Sequence, residues 1–255
     1  MESLLQYNNW SIEQHTWNPD HEEAIEQQLS FSNGYICQTA HFEEYYSGAQ
    51  RLYTFLNGIE QPILNLSSIS IRLHDERLDL GAWQVKDFYR CLHKTHPSLE
   101  RRFTATSPKG ATIQVKTKRQ LLPQKEAMLI EYEITSINYA GPISFLAMLP
   151  PNDKNIDWYP LQNFIGQDYC WLWLQMHELN LQLCCAMSWE ALYNNSPLIQ
   201  RPIKIEKQHT IGYSLITSIK PGDTCLLRKK VVVMDSRTHE KDQLITDATQ
   251  CLTNL

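Results

Sequence analysis

The sequence contains no Cys-x-x-Cys pair and no run of basic residues. It also lacks any apolar stretch near the roughly 20 residues that a membrane-crossing helix needs. The longest apolar run, from Ile143 to Pro151, falls far short of that length. Residues 1–10 lack the basic and then apolar order of an export signal, so the chain reads as cytoplasmic. A net charge of −5 with dispersed basic residues sets nucleic acid and membrane aside as main partners. Missing too are Gly-x-Gly-x-x-Gly, the Walker A loop, Gly-x-Ser-x-Gly and His-Glu-x-x-His. No cofactor and no metal are expected; His93 and His96, three apart and without partners, read as loop histidines. The seven cysteines follow no framework spacing. Cys170, Cys184 and Cys185 lie in apolar runs and read as small buried hydrophobes.

What is present is a strand pattern. Hydrophobic residues make up 42% of 255, enough for the core of one large β domain or of two smaller domains. Met128, Ile130, Tyr132 and Ile134 alternate with polar residues, as do Ile113 and Val115, which is the pattern of a sheet buried on one side. Similar runs are read at Leu64–Leu73, Phe88–Leu92, Arg102–Thr106, Ile143–Leu149, Tyr169–Met176, Leu179–Trp189, Ile203–Glu206, Ile211–Ile219 and Cys225–Met234. Turn residues separate them, which predicts an all-β sandwich or barrel. Two segments depart from the pattern. Ala24, Ile25 and Leu29 predict a short helix over Asp20–Leu29, and Leu244, Ala248 and Leu252 predict one over Ser236–Leu252, capped by Ser236 or Thr238. The chain divides accordingly into a β domain, residues 1–235, and a terminal helix, residues 236–255.

The stretch Leu29–Gly48 holds most of the candidate chemistry. Asn33-Gly34 predicts a turn between two strands, and His41, Phe42, Glu43, Glu44, Tyr45 and Tyr46 follow as an acidic and aromatic cluster. On an extended strand Glu43 and Glu44 face opposite sides and cannot act as one pair. Glu22-Glu23 are placed on an exposed helical face, and Glu131 with Glu133 on a solvent-facing strand face. A second aromatic and polar group is Asp157, Trp158 and Tyr159. Its rings suit the apolar faces of sugars and its carboxylate suits their hydroxyls, although Trp158 capping the core is the plainer role. The residues expected to contact a saccharide are therefore Glu43, Glu44, Tyr45, Asp157, Trp158 and Tyr159. No catalytic residue is assigned.

Several segments together carry a family resemblance. They are Trp10 with Ile12-Glu13, Leu29–Ile36 around Asn33-Gly34, and Phe42-Glu43-Glu44 followed by Ser47-Gly48. Asn65-Leu66, Arg90-Cys91-Leu92, Leu99–Phe103, Lys118–Leu122 and Arg228–Arg237 complete the series. In this order and spacing they resemble the N-terminal domain of glycoside hydrolase family 65, the maltose, trehalose and kojibiose phosphorylases and related disaccharide hydrolases. The resemblance implies a large two-sheet antiparallel β super-sandwich, galactose mutarotase-like, with a linker helix leading to an (α/α)6 barrel. It implies that the general-acid glutamate and the phosphate site belong to that barrel, and that this chain acts through sugar binding or through assembly with it. Some positions depart from the family pattern: Cys37 stands where glycine is frequent, the loop between Gly48 and Leu64 is shortened, and His93-Lys94 replaces an Asp-Met pair. Two other readings remain open. One is a stand-alone mutarotase-like isomerase using His41 with Glu43 or Glu44, or His177 with Glu178. The other is a structural module that forms a homodimer.

Overall fold

The computed structural model describes residues 4–48, 54–59, 63, 65–149, 158–176, 180–207 and 210–255. The chain opens with β1 (Gln6–Tyr7), β2 (Ser11–Gln14), a 3-10 turn at Pro19–His21, and α1 (Glu22–Gln28). There follow β3 (Phe31–Ser32), β4 (Ile36–Gln38), β5 (Thr54–Leu56), β6 (Ile69–Leu73) and β7 (Glu76–Arg77). Long strands come next: β8 (Gln84–His93), β9 (Ser98–Thr106), β10 (Thr112–Leu121), β11 (Ala127–Ser136) and β12 (Gly141–Leu149). The remainder is β13 (Trp158–Ile165), β14 (Tyr169–Met176), β15 (Leu181–Tyr193), β16 (Ser196–Pro197), β17 (Ile203–Lys207), β18 (Thr210–Ile219), β19 (Thr224–Asp235) and α2 (Leu244–Thr253).

Every described strand pair is antiparallel. The large sheet runs β1-β2-β8-β9-β10-β11-β19-β15-β14-β13, with β16 paired to β15. A five-stranded sheet, β17-β18-β12-β6-β7, forms the second layer, and β3-β4-β5 make a small third sheet. One core fills the space between the layers, with Phe103, Val115, Ile130, Leu183 and Val233 from the large sheet meeting Ile69, Ile71, Ile143 and Phe145 from the smaller. This is the predicted two-sheet super-sandwich. The large sheet also buries part of its other face, because α2 lays Leu244, Ala248 and Leu252 on Trp171, Cys184, Ala186, Val232 and Met234. That explains why Val231–Met234 and Cys184–Met187 are apolar without a break: both sides of the sheet are covered there.

The structure corrects several boundaries. α2 begins at Leu244, and neither Ser236 nor Thr238 caps it. Instead the Asp235 carboxylate receives the Arg237 backbone N–H and two of its guanidinium donors, which holds the preceding residues in turns. The predicted strand start at Leu64 lies outside the described residues, and Leu66–Ser68 precede β6 as a turn. Trp158 and Tyr159, which fall in none of the strand runs read from sequence, open β13 at the sheet edge. Cys170, Cys184 and Cys185 are buried as expected, and burial pushes the first two thiols up to about 12.

The Asn33-Gly34 turn does form, between β3 and β4, with Gly34 at φ +91. Its Asn33 side chain is a clamp. Oδ1 accepts from the Tyr35 and Ile36 N–H groups, and Nδ2 donates to the Leu122 and Lys125 carbonyls at 2.7 and 2.8 Å. Asn33→Ala is expected to cost about 1–3 kcal/mol in urea unfolding, since it strands several polar groups at once. A loss below the error of the measurement would contradict the clamp.

Candidate functional site

The inward face of the large sheet carries a belt of polar residues that an apolar core would not need. Strand alternation continues past Thr117 and brings Arg119 inward on β10. It likewise turns Arg101 on β9, Arg90 on β8, Tyr132 on β11 and Lys229 on β19 toward the core. The register sets them in two adjacent rows, Arg90–Arg101–Thr117–Tyr132 and Arg119–Ile130–Lys229. All five named polar side chains are essentially sealed from solvent.

A buried guanidinium is tolerated only when its donors are met. The segment from Gln38 to Tyr46 and helix α1 meet most of them, with Arg90 Nε left without an acceptor among the described residues. Arg90 Nη2 donates to both oxygens of Glu22 at 2.7 Å, and its Nη1 donates to the Ala40 carbonyl at 3.0 Å. Arg101 donates to Glu44 Oε1 at 2.5 Å and Oε2 at 2.6 Å, and to Glu43 Oε2 at 2.6 Å. Arg119 Nε lies 2.7 Å from Glu43 Oε1, and its terminal nitrogens donate to Gln38 Oε1 and the His41 carbonyl. Tyr132 Oη donates to Glu44 Oε2 at 3.1 Å. Three arginines thus face three glutamates, all between 0% and 3% exposed.

These contacts change the sequence assignments. The segment bends at Glu43-Glu44 instead of continuing as a strand, so both carboxylates converge on Arg101. Every oxygen of the two carboxylates is engaged, and neither offers an atom to a saccharide in solution; their task here is to anchor the segment. Glu22, expected on an exposed face, is fully buried against Arg90, while Glu23 is exposed. Tyr45 is 42% exposed, and the Arg77 guanidinium covers one face of its ring at 3.4 Å. Trp158 is 9% exposed and belongs to the core, and Tyr159 beside it is half-buried. Asp157, His177 and Glu178 lie outside the described residues.

His41 is likewise fixed. Nδ1 lies 2.9 Å from Thr39 Oγ1, and Nε2 lies 2.6 Å from Ser67 Oγ and 3.2 Å from Asn65 Oδ1. Burial, and after it the Arg119 charge, pulls the imidazole down to about 3. It is therefore neutral at pH 7, and Glu43, though close, does not reverse this. Burial alone would push the Glu43 carboxyl up, but the Arg119 and Arg101 charges outweigh it and hold that group at about 2. Lys229 is the exception in the belt. It crosses between the layers to donate to the Ser68 and Met148 carbonyls, and burial pulls its ammonium down to about 7.

The outward face of the same strands forms a groove of about 390 Å³ lined by Tyr89, Glu100, Arg102, Lys116, Glu131 and Glu133, among others. The expectation that Glu131 and Glu133 share an outward face is met. Each is already paired, Glu133 with Lys116 at 3.1 Å and Glu131 with Arg228 at 2.8 Å, and Glu100 binds Lys118 at 2.9 Å. Each of these carboxylates therefore already has a basic partner across the groove. Among the described residues no group of three potential metal ligands comes together.

The fold and belt define a class: a two-layer antiparallel super-sandwich whose N-terminal segment is tied to the large sheet by buried arginine–glutamate pairs. The comparisons place it further. The model of the glycosyl hydrolase family 65 N-terminal domain matches residues 12–255, so the chain belongs to that family. An α,α-trehalose phosphorylase from Thermoanaerobacter brockii is 26% identical over 179 residues, and a maltose phosphorylase from Bacillus subtilis is 25% identical over 176. Each match covers 60% of this chain and 23% of the enzyme, so the chain corresponds to a fraction of either. A solved structure described as a kojibiose phosphorylase from the human microbiome superimposes with a TM-score of 0.86 at 20% identity, over 98% of this chain and 36% of that one.

Arg101→Met would leave Glu44 buried without its cation and Glu43 with Arg119 alone. The expected cost is about 3–5 kcal/mol in denaturant unfolding, and a neutral effect would show that the segment does not depend on the belt. For pH, both His41 (ordinarily 6.5) and Glu43 (ordinarily 4.5) have folded values below their unfolded ones. The unfolded chain therefore takes up protons first on acidification. The stability that these two groups contribute is full above pH 6.5 and falls steadily from there toward pH 2. His41→Gln should flatten the upper part of that fall, between pH 6.5 and 4.5, when midpoints are measured across the range. An unchanged profile would contradict the neutral buried imidazole.

Proposed function

We propose that this chain is the non-catalytic, carbohydrate-associated β domain of a disaccharide phosphorylase or hydrolase system, working in the cytoplasm. The general-acid glutamate and the phosphate site lie on an (α/α)6 barrel, and this domain contributes sugar binding or assembly with that barrel. Residues 236–255, with α2 docked on the large sheet, serve as the link toward it. The observation that carries this reading is the family match over residues 12–255. The geometry supports it, since Glu43, Glu44, Glu131 and Glu133 are each committed to a cation. The mutarotase-like alternative finds less support at its first candidate pair, because His41 is an imidazole walled in by Thr39, Asn65, Ser67 and Arg119; the second, His177 with Glu178, lies outside the described residues.

The test is a pair of assays on the purified chain. Release of sugar phosphate from maltose, trehalose or kojibiose with inorganic phosphate should stay at background, and interconversion of glucose anomers should not be accelerated. Phosphorolysis by this chain alone would overturn the assignment of chemistry to a barrel. Anomer interconversion that disappears in His41→Ala would favour the alternative.

A further inference from the structure

A second cleft, of about 470 Å³, opens away from the arginine belt, where the large sheet meets the edge of the smaller one. Its walls come from three places: Gln167 and Asp168 in the turn between β13 and β14, Trp189–Ala191 on β15, and Pro197–Lys204 leading into β17. We infer that this cleft is a binding site for a neutral saccharide, with Trp189 as its aromatic surface and Asp168, Gln200 and Arg201 as its hydroxyl-binding groups. The inference rests on the carbohydrate reading above and gives it a location.

Four observations carry it. The cleft holds two carboxylates, Asp168 and Glu190, and two cations, Arg201 and Lys204, so its formal charge is balanced. A balanced lining selects neither anion nor cation and suits an uncharged polyol, whose hydroxyls both donate and accept. The volume lies in the range of small-molecule sites. The floor is rigid: Trp189 packs on Tyr213 with ring centroids 5.8 Å apart, and Tyr213 Oη donates to the Gly166 carbonyl at 3.3 Å. Lys204 donates to the Ile165 carbonyl and Glu190 accepts from Arg228, so those two walls are braced as well.

The fourth observation separates this cleft from the groove on the outward face. There, Glu100, Glu131 and Glu133 each have a basic partner. In the cleft, no described side chain hydrogen-bonds to or ion-pairs with Asp168, Gln200 or Arg201.

The test is titration of the full chain, labelled with 15N at tryptophan indoles, with maltose and with trehalose, followed by NMR and calorimetry. One of the two sugars should shift the Trp189 indole signal, identified by its absence in Trp189→Phe. Arg201→Ala and Asp168→Asn, both changes on the surface, should weaken binding about tenfold or more, the worth of one charge-assisted hydrogen bond. Binding that leaves the Trp189 signal and both variants unaffected would overturn the location while leaving the carbohydrate reading intact. Absence of binding by either sugar at millimolar concentration would overturn the location and the sugar-binding part of that reading, leaving assembly with the barrel.

Discussion

Arg101 buried beneath the Gln38–Tyr46 segment is the interaction on which the rest of this domain depends. A guanidinium placed inside a sandwich cannot be left alone, and the large sheet places three of them in neighbouring strands. The chain answers with Glu22 from a helix and Glu43 and Glu44 from a bend, so a stretch that forms little regular structure of its own is held by charge pairing and by Phe42 and Tyr46 packed against Trp17. Asp79 closes the far end, accepting from the Ser47 and Gly81 N–H groups. Such pairs add little net stability over an apolar core, but breaking one strands a charge. They therefore fix the path of the segment more than they strengthen it.

This division of labour bears on function. The acidic, aromatic stretch that attracts notice in the sequence is committed to architecture. The groups left open to a ligand lie instead on turns and strand ends, where one sheet meets the other. Loops set on a rigid scaffold are where recognition ordinarily resides.

Much of the fold was legible. Period-two alternation located β10, β11, β12, β14, β18 and β19, and the Asn33-Gly34 dipeptide located its turn. Less was legible at the site, for a physical reason. Reading Glu43-Glu44 as extended strand put the two side chains on opposite faces, and only the three-dimensional bend brings them to one guanidinium. The inward position of Arg119 follows from continuing the alternation of Ile113, Val115 and Thr117, a signal present in the sequence but overridden by the habit of placing arginine outside. β13 was hidden because Pro160 and the bulge beside it break its pattern. The Trp189 cleft draws on three segments distant in sequence, which no local spacing reveals.

The central claim is that the His41–Ser47 segment is a structural anchor and not a ligand-ordered loop. Native-state hydrogen exchange of the free chain tests it most directly. The account predicts that the amides of this segment exchange only with global unfolding and that added maltose or trehalose leaves their protection unchanged. Rapid exchange in the free chain, slowed when sugar is added, would contradict it.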